Sequence, residues 1–85
     1  MRVLIPTSLR SYTQVSRVEA VGTMLGAVLA DLDRQFPGIR FRMVDEQGRL
    51  RPHMRVFVNG QALHDLALPL QPGCDVSIVQ ALSGG

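Results

Sequence analysis

The apolar positions of this chain follow two spacings. From Met24 to Phe36, Leu25, Val28, Leu29, Leu32 and Phe36 recur at i, i+3, i+4, i+7 and i+11, the single buried stripe of an amphipathic helix. Thr23 stands before it as the expected N-cap, and Pro37-Gly38 ends it. Asp31, Asp33, Arg34 and Gln35 fall off the stripe and are expected to face water. Elsewhere the apolar runs are short and strand-like. Val3-Leu4-Ile5, stopped by Pro6, reads as a first strand, and Val15 to Val21 as a second that pairs with it in a hairpin, across a polar, turn-like stretch from Ser8 to Gln14.

Met54 to Val58 runs into Asn59-Gly60, residues that tolerate the positive φ of a tight turn, so it reads as a strand entering a turn. Its alternation places Met54, Val56 and Val58 on one face and Arg55 and Phe57 on the other. Val76 to Ala81 forms the last strand, with Val76 and Ile78 opposite Ser77 and Val79. Between helix and strand, Asp45-Glu46-Gln47-Gly48 marks a turn, with Phe41, Met43, Val44 and Leu50 available to tie the segment down. Leu63 to Leu70 reads as an irregular connector. The order strand, strand, helix, strand, short segment, strand implies an α+β domain, a mixed sheet covered on one face by one main helix. Residues 1–81 form that domain, and residues 82–85 are expected to be a flexible tail ending in two glycines.

Length and composition narrow the classes. The chain has 85 residues, 46% of them hydrophobic and 19% charged, enough apolar content for one packed core. A fold of this size buries only about 60% of the surface its unfolded chain exposes. The single cysteine, Cys74, closes no internal disulfide, builds no four-ligand zinc site, and reads as a packing thiol in a turn. All nine basic residues are arginines, set against seven acidic ones for a net charge of +2, and they are too scattered for a nucleic-acid stripe. Without lysine there is no Schiff-base nucleophile. No segment has the length of a signal-peptide core or a membrane span, so a cytoplasmic location is expected. His53 and His64 have no ligand or nucleophile partners at useful spacing and read as surface residues; no metal site is expected, and the dispersed glycines form no phosphate cradle.

Gly84-Gly85 is the remaining chemical feature. A diglycine arm has no side chains, threads a narrow channel, and offers its α-carboxylate to a reagent inside another protein. From Leu82 to Gly85 it spans about 13 Å when extended. A carboxylate is a poor electrophile until it is joined to AMP; the acyl adenylate then yields a thiocarboxylate to a sulfur nucleophile.

The residues that accompany this tail resemble the ubiquitin-like sulfur carriers of the MoaD, ThiS and CysO type. The matching stretches are Ile5-Pro6-Thr7-Ser8-Leu9-Arg10, Thr23-Met24-Leu25-Gly26, Phe36-Pro37-Gly38-Ile39, Asp45 through Arg51, Arg55-Val56-Phe57-Val58-Asn59-Gly60, and Gly73 through Val79 leading to Gly84-Gly85. The opening Ile-Pro-Thr-x-Leu-Arg is most like the CysO branch. Departures occur at Gln61 to Leu68 and at Gln80-Ala81-Leu82-Ser83, where partners dock. The resemblance implies a β-grasp fold and a protein co-substrate that is not itself an enzyme. It implies no bound cofactor, with ATP consumed by a partner adenylating enzyme related to ubiquitin-activating enzymes. Gly85, with Gly84 before it, would carry the adenylate and then the thiocarboxylate. A sulfur-accepting synthase, of the cysteine-synthase or molybdopterin-synthase kind, would be the second partner, and the free protein a monomer. Phe57 and Val79, on the face away from the helix, together with Arg55, Leu82 and Ser83, are the expected partner contacts, with Arg10 a further source of rim charge. The alternatives are a molybdopterin-synthase small subunit, a non-carrier β-grasp interaction module, and a modifier joined to lysines of target proteins.

Overall fold

The computed structural model describes residues 1–81. The elements run β1 (Arg2–Leu4), a 3-10 turn (Thr7–Leu9), α1 (Arg10–Thr13), β2 (Arg17–Glu19), α2 (Leu25–Gln35), α3 (Ile39–Met43), β3 (Met54–Val58), β4 (Gln61–Leu63) and β5 (Asp75–Gln80). Five strands form one sheet in the order β2-β1-β5-β3-β4, in which β1 and β5 run parallel and every other neighbouring pair antiparallel. The expected mixed sheet and the β1–β2 hairpin pairing are therefore both present. The expected tail, residues 82–85, lies outside the described residues.

Packing follows the two periodicities. Leu25, Val28, Leu29 and Leu32 of α2 are fully buried, and they meet Val3, Ile5, Val56, Val76 and Ile78 from alternate positions of the three central strands. Cys74 is buried among the same groups, which fits the packing role expected of it.

Several expectations change. The first turn of α2 is not capped by Thr23: Met24 occupies the cap position with no side-chain bond. The strap between β4 and β5 takes over, because Leu66 C=O accepts from Gly26 N–H at 2.8 Å and Thr23 C=O accepts from Leu70 N–H at 2.9 Å. The stretch Ser8 to Gln14 is not open turn; it winds into the 3-10 turn and α1 and buries Leu9 and Thr13. β2 is three residues long because β1 offers only Arg2 to Leu4 for pairing, so Val15 and Val21 fall outside it and are exposed.

The segment after Pro37-Gly38 holds α3, whose Ile39 and Met43 pack inward one turn apart. Asp33 starts it: rather than facing water unbound, its carboxylate accepts from the N–H groups of Gly38 at 3.0 Å and Arg40 at 3.2 Å. Gly38 itself sits at φ +97°, a conformation that suits glycine. Asn59 and Gly60 take φ 49° and 84°, and Val58 pairs with Gln61, so the tight turn closes a hairpin whose second strand, β4, was not expected and takes in Leu63, the first residue of the expected connector.

Candidate functional site

The end of β5 is where the expected tail begins. Ala81 N–H donates to His53 C=O at 2.7 Å, extending the β3–β5 ladder by one bond. Two clefts flank this strand end, with Pro6 to Arg10 on one side, and His53, Met54 and the α3 surface on the other. Gly84, Gly85, Leu82 and Ser83 lie outside the described residues.

On the sheet face turned away from α2, Arg55 pairs directly across from Val79, and Phe57 across from Ser77. The three predicted contact residues therefore share one face. Val79 is 41% exposed, whereas Phe57 and Arg55 are half-buried. Arg55 bends toward the main chain, its Nη1 donating to Pro52 C=O at 2.6 Å and Met54 C=O at 3.0 Å. Leu4 joins this face and was missed in the sequence: it stands opposite Ser77 in the parallel β1–β5 register and is 37% exposed. Three apolar residues in a row, Val3-Leu4-Ile5, hide the alternation, but Pro6 ends the strand and period two sends the middle one outward. Leu4, Phe57 and Val79 make an apolar patch with Arg2, Arg17 and Arg55 in the same rows.

A second surface at the rim was also missed. Phe41, expected to anchor its segment, is 58% exposed on α3, and the Arg51 guanidinium lies 4.6 Å from its ring centroid. Arg51 Nε donates to Phe41 C=O at 2.7 Å, which fixes the stack. Both residues line a groove of about 330 Å³ that includes Arg42, His53 and Gln80. Ion pairs among the described residues join the N-terminus to Glu19, Arg34 to Asp31 and Arg49 to Asp45. None uses Arg10, Arg42, Arg51 or Arg55, so four arginines outside these ion pairs gather around this strand end, with Asp45 and Glu46 beside Phe41 and Arg51 at its margin.

Two carboxylates have identifiable electrostatic settings: Asp31 on α2, and Asp45, which lines a groove with Phe41 and Arg51. Asp31 is held below the usual aspartate value first by the Arg34 hydrogen bond and then by the Val21 amide; Asp45 is held low chiefly by the Arg49 amide. Among the described residues no group of three or more His, Cys, Asp or Glu side chains is placed to hold a metal, and no helix is long and apolar enough to cross a membrane. His53 and His64 are both exposed.

Known proteins share this fold. The sequence matches the ThiS family over residues 3–85. It is 36% identical over 89 residues to the sulfur carrier protein CysO of Mycobacterium tuberculosis strain H37Rv, covering 98% of this chain and 96% of that protein. The crystal structure of M. tuberculosis CysO superposes with a TM-score of 0.89 at 34% identity, over 95% of this chain and 98% of that one. A chain of the Amycolatopsis orientalis BexX/CysO complex gives a TM-score of 0.89 at 31% identity, over 99% and 98%. SAMP1 from Haloferax volcanii gives 0.79 at 25% identity, over 100% and 98%. With a family match across nearly the whole chain and a sheet and helix that superpose on CysO, this protein is a ubiquitin-like β-grasp domain and belongs to the ThiS family.

Proposed function

We propose that this protein carries sulfur as a thiocarboxylate on Gly85. The observation that carries the reading is that the family match runs through residue 85, and so takes in Gly84-Gly85. A carboxylate oxygen of Gly85 attacks the α-phosphorus of ATP in a partner adenylating enzyme, and pyrophosphate leaves. A sulfide-equivalent donor then attacks the acyl carbon, AMP leaves, and the terminus becomes –COSH. The sulfur passes to a synthase that builds cysteine or a related metabolite, in keeping with the sulfur carrier role of the CysO relatives. The domain supplies no acid, base or metal to these steps; it acts as the handle by which both enzymes hold the terminus.

The basic rim supports the choice of partner face. Arg10, Arg42, Arg51 and Arg55, outside every ion pair among the described residues, suit an enzyme whose channel mouth is acidic. A BexX/CysO complex exists for a relative with the same fold. Removing Gly85 tests the reading. The truncated protein is expected to keep its melting temperature and lose all sulfur transfer; retained transfer would refute the carrier role. The likeness to SAMP1, a small archaeal modifier protein, favours a second reading, in which the same adenylate ends in an isopeptide on a target lysine. Denaturing gels of host extract separate the two, since only the modifier gives stable higher-mass conjugates.

A further inference from the structure

The strand that leads to the tail has an unfinished edge. Arg55 pairs with Val79, Asn59 N–H donates to Asp75 C=O at 2.9 Å, and Ala81 N–H donates to His53 C=O at 2.7 Å. These contacts turn the main-chain groups of residues 75, 77, 79 and 81 toward β3. Those of Val76, Ile78 and Gln80 therefore point to the other side, toward β1. The parallel register, Val3 beside Val76 and Leu4 beside Ser77, lets β1 serve Val76 and the N–H of Ile78. There the ladder stops for a chemical reason. The next donor would be Pro6, which has no N–H, and the Pro6 carbonyl that Gln80 N–H would meet accepts from Leu9 N–H at 3.0 Å instead.

Ile78 C=O and Gln80 N–H are thus left without a main-chain partner among the described residues. They face a cleft of about 530 Å³ lined by Pro6, Thr7, Ser8, Arg10, Val79 and Ala81 along with Ile78 and Gln80 themselves. No acidic side chain lines it. Among the described residues Arg10 spends only its Nε, on Ile5 C=O at 3.2 Å, and its two terminal nitrogens make no hydrogen bond there.

We propose that an extended segment of the adenylating partner adds to this edge as a strand, bonding Ile78 C=O and Gln80 N–H and placing a carboxylate on Arg10. An open donor and acceptor on one strand edge are satisfied by another main chain, and the charge of the cleft selects an acidic segment. The contact lies immediately before residues 82–85, so it fixes the direction in which the terminus enters the enzyme. The proposal rests on the carrier reading for the identity of the partner but not for the existence of the edge.

Amide hydrogen exchange at Gln80 is the test, with amides on the free edges of β2 and β4 as internal references. Two probes are used: the host's adenylating enzyme, and a synthetic acidic strand peptide, Thr-Val-Glu-Val-Asp-Val-Thr with blocked ends. Binding is expected to slow Gln80 exchange by roughly tenfold or more while leaving the reference edges unchanged. Gln80→Pro deletes the N–H at an extended position that makes no ladder bond. It is expected to keep the melting temperature within a few degrees and raise the KM for activation about tenfold.

Exchange at the free rate with both probes overturns the proposal, and so does slowing confined to concentrated protein alone, which would make a second copy the occupant. If Gln80→Pro does not fold, the exchange data on the unaltered protein decide. If no adenylating enzyme acts on the unaltered protein, the carrier reading fails and the peptide still decides the edge.

Discussion

At the scale of single residues, polar side chains stitch together places where the apolar pattern alone would leave loose joints. Asp31 accepts from Val21 N–H at 3.1 Å, from both Arg34 nitrogens and from Gln35 Nε2 at 2.9 Å, and so ties the exit of β2 to α2. Its side chain is only 10% exposed. These partners favour the ionised carboxylate, so its folded pKa lies below 3.8, the ordinary aspartate value. The stabilisation is therefore complete above that value and is lost as pH falls through the lower, folded one. Urea titrations between about pH 5 and pH 2 are expected to show the midpoint of Asp31→Asn falling less steeply with acid than that of the parent. Equal slopes would remove Asp31 from this role. The sequence marked Asp31 and Asp33 as off the helical stripe, which is correct, but periodicity says nothing about a donor ten residues upstream or seven downstream. Their bonds to Val21 and Arg40 appear only once the chain has folded back.

At the scale of elements, the long periodic helix and the alternating strands were legible because each carries several buried positions in step. Leu25, Val28, Leu29 and Leu32 define α2, and Met54, Val56, Val76 and Ile78 define the inner face of β3 and β5. The short α3 and β4 were not legible, since α3 buries only Ile39 and Met43 and β4 is held by its hairpin rather than by its own pattern. The close contact at Gly22 was also invisible. A Cβ there would stand 2.7 Å from Val28 N, a backbone atom that cannot swing aside. Gly22→Ala is expected to cost about 1–3 kcal/mol in chemical denaturation, through strain where the β2 exit meets α2; a stability equal to the parent's would show that this junction gives way freely. The outer face makes a separate demand. Phe57→Asp is expected to lower stability by about 1 kcal/mol, because the site is half-buried on the side away from the core. The same substitution should weaken activation strongly, as measured by ATP–pyrophosphate exchange against protein concentration. Unchanged activation would take Phe57 off the docking face.

At the scale of the molecule, the fold gathers the candidate contact residues around the end of β5. The parallel pairing of β1 with β5 brings the Pro6 corner beside the last strand, and α3 brings Phe41 and Arg42 to the other flank, where Arg51 stacks on Phe41. The terminal glycines were legible as chemistry because no side-chain constellation competed with them. The basic rim was legible only in part: Arg42, Arg51 and Arg55 are close in the chain, but Arg10 reaches the other side of the same strand end only through the sheet order. The central claim is that this domain exists to present a main-chain acid for conversion to a thioacid. Intact-mass spectrometry of the protein isolated from its host under sulfur-replete growth addresses it directly. The account predicts a species heavier than the sequence mass by the difference between one sulfur and one oxygen atom, with the change mapping to Gly85. A population carrying only the free carboxylate, in cells where the adenylating enzyme is active, would contradict it.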